Sequence, residues 1–430
     1  MFKQAYPTLL LMMWGVRVKY LHKSPHAVFN SENTISPNMC EAESKVMQLA
    51  ANGSLKELDS LLRKDNKAYA FANQDGVTAL MLAASEDRPD VVNLFLQHGA
   101  KSDGVTKDGW TALMAAADNG HSRVVKTLLH HGVMVDYVTS DGWTALMLAS
   151  KHGHSEAVDL LLSHQAKVDY IDTEGMTALM IASAEGHLHV VELLLKHKAN
   201  PNLVNSEGVS ALMFASQRGH SRIANSLLLN SADPNIADRD GVTAISSAAQ
   251  TGHCSTVKLL IKHGAMIDRP NRFGVTPVMF ASQEGHLKIA DLLVASGANL
   301  NKTDIDGCTA LMAASRNGHV QIVTLLLEKG AEVDPADDTG VTALHIAAEN
   351  GHSVVVHLLL TWKAMVDKAT DEGVTALMFA SQNGHLEAVR LLINSSADAE
   401  RVNNDGVSAA MFASVNGNTN ILELLKSKDS

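Results

Sequence analysis

Histidine is the residue of this sequence best equipped to do chemistry, with 21 copies in 430 residues. Nine of them (His121, His154, His187, His220, His253, His286, His319, His352 and His385) recur at one unvarying interval. A neutral imidazole can ligate zinc or act as a general base, but zinc needs its ligands to converge within bonds of about 2 Å. One copy per repeat spaces this column by about 10 Å if helical layers stack, so the column cannot share an ion. The pairs His152/His154 and His187/His189 have no third ligand nearby in sequence. Five further histidines (His98, His131, His164, His197, His263) close a helix, where a cation suits the helix dipole. Cys40, Cys254 and Cys308 are odd in number and far apart, which gives neither a disulfide framework nor a zinc pattern and fits a reducing compartment. There is no G-x-S-x-G, no H-E-x-x-H, no phosphate loop and no kinase signature set. The expectation is therefore no catalytic residue, no metal, no cofactor and no enzyme, with dispersed catalytic residues as the remote alternative.

Bulk composition narrows the remaining classes. The chain is 46 % apolar, only 19 % charged, and carries a net charge of −11. An acidic excess is a poor match for a phosphate backbone, so nucleic acid is not the expected partner. Aromatic residues are scarce at 4 % while methionine reaches 18 copies, so methionine must fill much of the core. No apolar run approaches the roughly 20 residues of a membrane helix. The nearest, Leu9–Val16, lies in Met1–Ser31, which has Lys3, Arg17, Lys19 and Lys23 but no acid. That segment is compatible with a presequence, but it lacks an A-x-A-like site, and a disordered tail or a misread start fits it better. The expected location is otherwise intracellular and cytoplasmic.

The elements that would hold these side chains follow from one period. Glycines stand at Gly76, Gly109, Gly142, Gly175, Gly208, Gly241, Gly274, Gly307, Gly340, Gly373 and Gly406, every step the same length and nothing inserted. Three residues before each is Asn, Asp or Thr, whose short side chain can bond the backbone two residues on, and the glycine permits φ > 0, so each site is a tight turn. Two residues after it comes Thr or Ser, a helix N-cap. Seven residues after it there is always alanine, from Ala83 to Ala413, a position crowded too closely for a larger side chain. A second glycine then ends the short helix, and a second helix with apolar residues at i, i+3, i+4 follows, as in Val124, Leu128 and Leu129. Such a unit cannot bury its apolar face alone, so neighbours must stack.

Eleven in-phase copies of D-G-x-T-A-L-M-x-A followed by G-H-x-x-V-V-x-L-L-L resemble the ankyrin repeat, whose period is about 33 residues. The resemblance implies an all-α solenoid of stacked helix-turn-helix units with short β-hairpin or loop connections, and protein binding as its role. On this reading residues 1–40 are an N-terminal segment, 41–72 a degenerate capping repeat (Val46–Arg63 with Gly53), and 73–430 eleven repeats, the last a shortened cap. The family usually has His five residues after the turn glycine, bonding the N-cap and the neighbouring loop; here only His345 keeps it and nine repeats have Met. That puts the inter-repeat bond in doubt for most of the array. The Gly241 repeat, with Ile245-Ser246-Ser247, is the weakest match, and the Gly76 repeat has Asp87-Arg88 in place of Gly-His.

What the family uses is surface, at the hairpin tips and first helices. Directly after the turn glycine come Trp110, Trp143 and Met176, at a position expected to be rather exposed; six residues after it come Phe214, Phe280, Phe379 and Phe412; directly before it stand Asp108, Asp141 and Glu174. Two readings stay open. Either the apolar tips pack on one another and the acids solvate the edge, or an apolar stripe flanked by acids receives a partner segment with apolar anchors and Lys/Arg flanks. On the second reading the chain is a monomeric scaffold or adaptor. The alternative is the adaptor or substrate-receptor portion of a multi-subunit enzyme or channel.

Overall fold

The computed structural model describes residues 41–64 and 70–426. The presequence reading of Met1–Ser31 lies outside them. Twenty-four helices run in pairs among the described residues, and the only pairing of extended backbone is a set of isolated bridges such as Ala72 with Thr78 and Val204 with Ser210. No helix among these residues is long and apolar enough to cross a membrane.

The described residues divide into two compact units, one running up to Ala149 and including Glu156–Ala166, the other formed by Ser150–Ser155 and the residues from Lys167 onward. The first begins with the helices Glu41–Asn52 and Leu55–Lys64, whose Val46, Met47, Leu58 and Leu62 are buried. Here Arg88 donates from Nε to the carbonyl of Ala51 at 2.9 Å. The second runs from the pair Ala178–Glu185 and Leu188–Lys196 to the pair Ala409–Val415 and Thr419–Lys426.

Each repeat is built by the same local rules. At the turn, the Oδ1 of Asn205 accepts from the backbone N–H of Glu207 at 3.0 Å and of Val209 at 2.8 Å. Gly274 shows why the turn residue is glycine: its φ is +80°, and a methyl group there would lie 2.7 Å from the Cα of Asp304 in the next repeat. The left-handed backbone and the close approach both exclude a side chain. The N-cap hydroxyls then start the first helices, with Thr111 accepting from the Met114 N–H at 3.2 Å and Thr177 from the Met180 N–H at 3.2 Å. The eleven alanines seven residues after the turn glycine are all fully buried, as the close helix contact requires. In the Gly241 repeat the helix Ala244–Gln250 forms, and the Ser246 and Thr243 hydroxyls pair with each other at 3.1 Å.

The periodic histidines bind neighbouring layers together. The Nε2–H of His187 donates to the carbonyl of Lys151 at 2.9 Å, His319 to Gln283 at 2.9 Å and His352 to Arg316 at 2.9 Å, each 36 residues back. The imidazole is seated on the second glycine of the preceding repeat: a methyl on Gly318 would lie 2.7 Å from the His352 ring. Arg88 fills the same role in the Gly76 repeat, and Asn418 does so in the last, donating to Ser381 at 2.8 Å.

Candidate functional site: the hairpin tips and first helices

Between consecutive tips, one backbone bond recurs. The Lys107 N–H donates to the Asp75 carbonyl and Ser140 to Asp108 in the first unit, each at 2.9 Å; in the second, Ser206 donates to Glu174 and Ile305 to Phe273, also at 2.9 Å. These bonds fix which side chains face water. The residue three before the glycine and the one directly after it turn inward together: Thr106, Asn205 and Asn271 are buried, and so are Trp110, Val209 and Val275. The residues four and two before it turn outward, as alternation along an extended segment dictates.

That alternation corrects the expected exposure of the tip anchors. Trp110 is 4 % exposed and Trp143 8 %, and Met176 is buried as well. Their backbone closes the turn, with Trp110 and Trp143 donating N–H to the hydroxyls of Thr106 and Thr139. Phe214 and Phe280 are likewise buried in the first-helix layer, while Phe379 and Phe412 are half-buried. The Phe379 ring stands edge-on to His345 with centroids 5.8 Å apart. Of the acids, Asp108 and Asp141 are exposed and Glu174 is half-buried. The ten expected residues therefore do not form one surface: the acids line the tips and the large apolar side chains lie beneath.

The apolar groups that do reach water at the tips are Val105, Ile171, Val204 and Val402, four residues before the glycine, and Ile305, two before it. A two-residue alternation in the short extended segment was the signal that would have found them. The charge on the tips also varies. Lys107 pairs with Asp75 at 3.7 Å, Arg239 with Glu207 at 3.4 Å and Arg272 with Asp240 at 2.7 Å. In the following four repeats the place of those cations is taken by Ile305, Asp338, Asp371 and Asn404. The tips there present Asp306, Asp338, Asp371, Glu372 and Asp405, all exposed.

Ionisation at the turns follows burial. Desolvation raises the carboxyls of Asp238 and Asp304 despite the backbone N–H groups they accept from. Burial, aided by the Asp304 charge, pushes the Cys308 thiol up to about 12. A thiol that stays protonated at neutral pH is not a nucleophile. No group of three or more His, Cys, Asp or Glu among the described residues is arranged to hold a metal ion.

The family model for ankyrin repeats matches residues 46–139, 133–205, 212–304, 298–370 and 363–430. The chain belongs to the ankyrin-repeat family. The matched segments cover nearly all of the described residues. No curated protein matches the chain as a relative. Ankyrin repeats are in general modules for protein–protein interaction, typically non-enzymatic scaffolds.

Proposed function

We propose that this ankyrin-repeat chain is a scaffold or adaptor that takes an extended or helical partner segment with apolar anchors and Lys/Arg flanks along its hairpin tips and first helices. The observation that carries this reading is the outward face of the tips from Ile305 to Asp405. There exposed Ile305 and Val402 stand among Asp306, Asp338, Asp371, Glu372 and Asp405, with no lysine or arginine among the four residues that lead into each of these turn glycines. Apolar anchors supply affinity, and a one-sign field supplies orientation and encounter rate. Trp110 and Trp143 are buried beneath the tips of their own repeats and are not part of this contact.

The experiment is a selection of random peptides on the purified chain, repeated with Asp338→Lys, Asp371→Lys and Glu372→Lys combined. The expected outcome is enrichment of peptides with Lys or Arg beside apolar residues, binding that weakens as salt rises, and loss of that enrichment in the variant. Enrichment indifferent to the three substitutions would exclude this face.

A further inference from the structure

One rung of the tip ladder in the second unit breaks the pattern of its neighbours. Each rung joins the residue directly before one turn glycine to the residue two before the next. Toward the start of the chain two successive rungs are ion pairs, Glu207 with Arg239 at 3.4 Å and Asp240 with Arg272 at 2.7 Å. Toward its end the next rung joins two acids, Asp306 and Asp338. Between them stands Phe273 with Ile305, and in no other rung are both places apolar. The fold does not demand it. The same backbone bond forms at 2.9 Å from Ile305 to Phe273, at 2.8 Å from Arg272 to Asp240 and at 3.0 Å from Asp338 to Asp306. Yet Ile305 is 54 % exposed and Phe273 is only half-buried. The Arg272 guanidinium lies over the Phe273 ring, 4.6 Å from its centroid, and holds that ring in place.

This apolar rung also marks a step in charge. On the side toward the start of the chain, Arg239 and Arg272 offset Glu207 and Asp240. On the side toward its end, Asp306, Asp338, Asp371 and Glu372 are all exposed, and no base holds either place of a rung. The nearest cations in sequence, Lys302, Lys368 and Arg401, lie three residues further from the turn than the rung itself. Each is held by a backbone carbonyl 34 residues back. A base on a partner therefore gains from the field on one side of the rung and meets Arg272 and Arg239 on the other. A second copy of this chain would bring the same acids against acids, which leaves a foreign segment as the occupant.

We infer that the rung of Phe273 and Ile305 is the anchor point of the partner segment, and that the segment carries its lysines and arginines on one side only of the apolar residue it places there. This rests on the partner site proposed for the tips and adds to it a register and a polarity.

The test is fluorescence anisotropy of three short labelled peptides with the full chain. All share a central Leu-Trp-Leu, the same number of lysines and the same number of serines. One has every lysine before the centre, one has every lysine after it, and one divides them evenly. One of the two lopsided peptides should bind roughly fivefold tighter than the even one. Phe273→Glu combined with Ile305→Arg installs the residues found at Glu207 and Arg239 and leaves the net charge unchanged. That variant should bind the better peptide roughly tenfold more weakly. Its helical signal and melting midpoint should match the parent, and should it fail to fold, Ile305→Ser, the residue found at Ser206, gives the same reading. Equal binding of the three peptides overturns the inference, as does no binding by any of them, or an affinity indifferent to the rung variant. The effect of Asp338→Lys, Asp371→Lys and Glu372→Lys separates the two failures. Binding that falls there but ignores the rung keeps the acidic tips as the partner site and removes only the anchor and the polarity; binding indifferent to both removes the site as well.

Discussion

In the Gly274 repeat the third residue of the first helix is Met279 and the sixth is Ser282; in the Gly340 repeat the same places hold His345 and Ala348. All four are buried. The Met279 sulfur accepts weakly from the Thr276 N–H at 3.3 Å and offers nothing to the next repeat, while the Ser282 hydroxyl has no hydrogen-bond partner. His345 uses both ring nitrogens: Nδ1 accepts from the Thr342 N–H at 3.0 Å, and Nε2–H donates to the Lys368 carbonyl in the following loop at 2.8 Å. Ala348 has no polar group to satisfy. One repeat thus gains a bond between layers through a titratable side chain, and the other forgoes that bond and also carries an unsatisfied hydroxyl. Both pack, because the alanine column and the turn glycines set the spacing of the layers whatever fills these two places.

The largest expected difference between the two is in acid. Burial is the main force lowering the His345 pKa from 6.5 to about 4; the Lys368 charge lowers it further, and the Lys368 carbonyl and Asp337 oppose the shift. Because the folded pKa lies below the unfolded one, the unfolded chain takes up the proton first as pH falls. The contribution of His345 is therefore complete above about pH 6.5 and is lost between about 6.5 and 4, amounting to about 3 kcal/mol. Hydrogen exchange of the amides around Thr342, referred to those around Thr276, should report that loss locally as pH is lowered. In His345→Met the two regions should fall together. Parallel behaviour in the parent would mean that the imidazole is already solvated.

How much of this was legible in the sequence depends on whether the cause was local. The turn glycines and N-cap hydroxyls were legible because each answers a backbone requirement that few residue types meet: Gly274 needs a positive φ, and Thr111 must reach an N–H three residues on. The periodic histidines were read as structural from their spacing, and His187, His319 and His352 each bond a carbonyl of the preceding repeat. Their acceptors in the preceding repeat are set by how one layer sits on the next, and no local pattern encodes that. The doubt over the inter-repeat bond was well placed, since the methionines make no such bond and only the weak return contact to the N-cap seen at Met81, Met279 and Met378. Trp110 and Trp143 were misjudged as exposed because a residue after a turn glycine looks like a loop tip. The backbone bond between neighbouring tips turns it inward. Trp362, 40 % exposed at the end of the helix Ser353–Thr361, was missed for a different reason: it stands out only when its column is compared down the repeats, where Ser296, Lys329 and Ser395 share its place.

A smaller effect would sharpen the contrast by moving the histidine. In the Gly274 repeat, Lys302 stands as far along the chain from Met279 as Lys368 does from His345. The two lysines are held alike: Lys302 Nζ donates to the Asp268 carbonyl at 2.7 Å and Lys368 Nζ to the Asp334 carbonyl at 2.6 Å. The loop that supplies the acceptor is therefore built the same way. Met279→His should gain one net hydrogen bond, about 1 kcal/mol at pH above about 7, seen as roughly fivefold slower exchange of the Thr276 amide. The gain should fall away as pH drops below about 6.5, because the opened form takes up the proton before the buried imidazole does. A gain that persisted in acid would show that packing, and not the bond to the Lys302 carbonyl, was responsible.

The smallest effect concerns the other half of the comparison. Ser150, Ser183, Ser216, Ser282, Ser315 and Ser381 occupy one column and share a buried hydroxyl with no hydrogen-bond partner, whereas Ala84, Ala117, Ala249 and Ala348 fill that place in four repeats and Ser414 is exposed there in the last. A hydroxyl taken out of water without a partner is a net cost, and alanine is the better helix former, so Ser282→Ala should stabilise its repeat by about 0.5 to 1 kcal/mol. The reverse change, Ala348→Ser, should cost about as much in the Gly340 repeat, since the column is equally tight there. Chemical denaturation of the two variants beside the parent would place them on opposite sides of it. If Ser282→Ala were instead destabilising, the hydroxyl must have a partner that stabilises the layer. The serine column would then be a second set of inter-repeat ties alongside the histidines, and the Gly274 repeat would no longer be the less satisfied of the two.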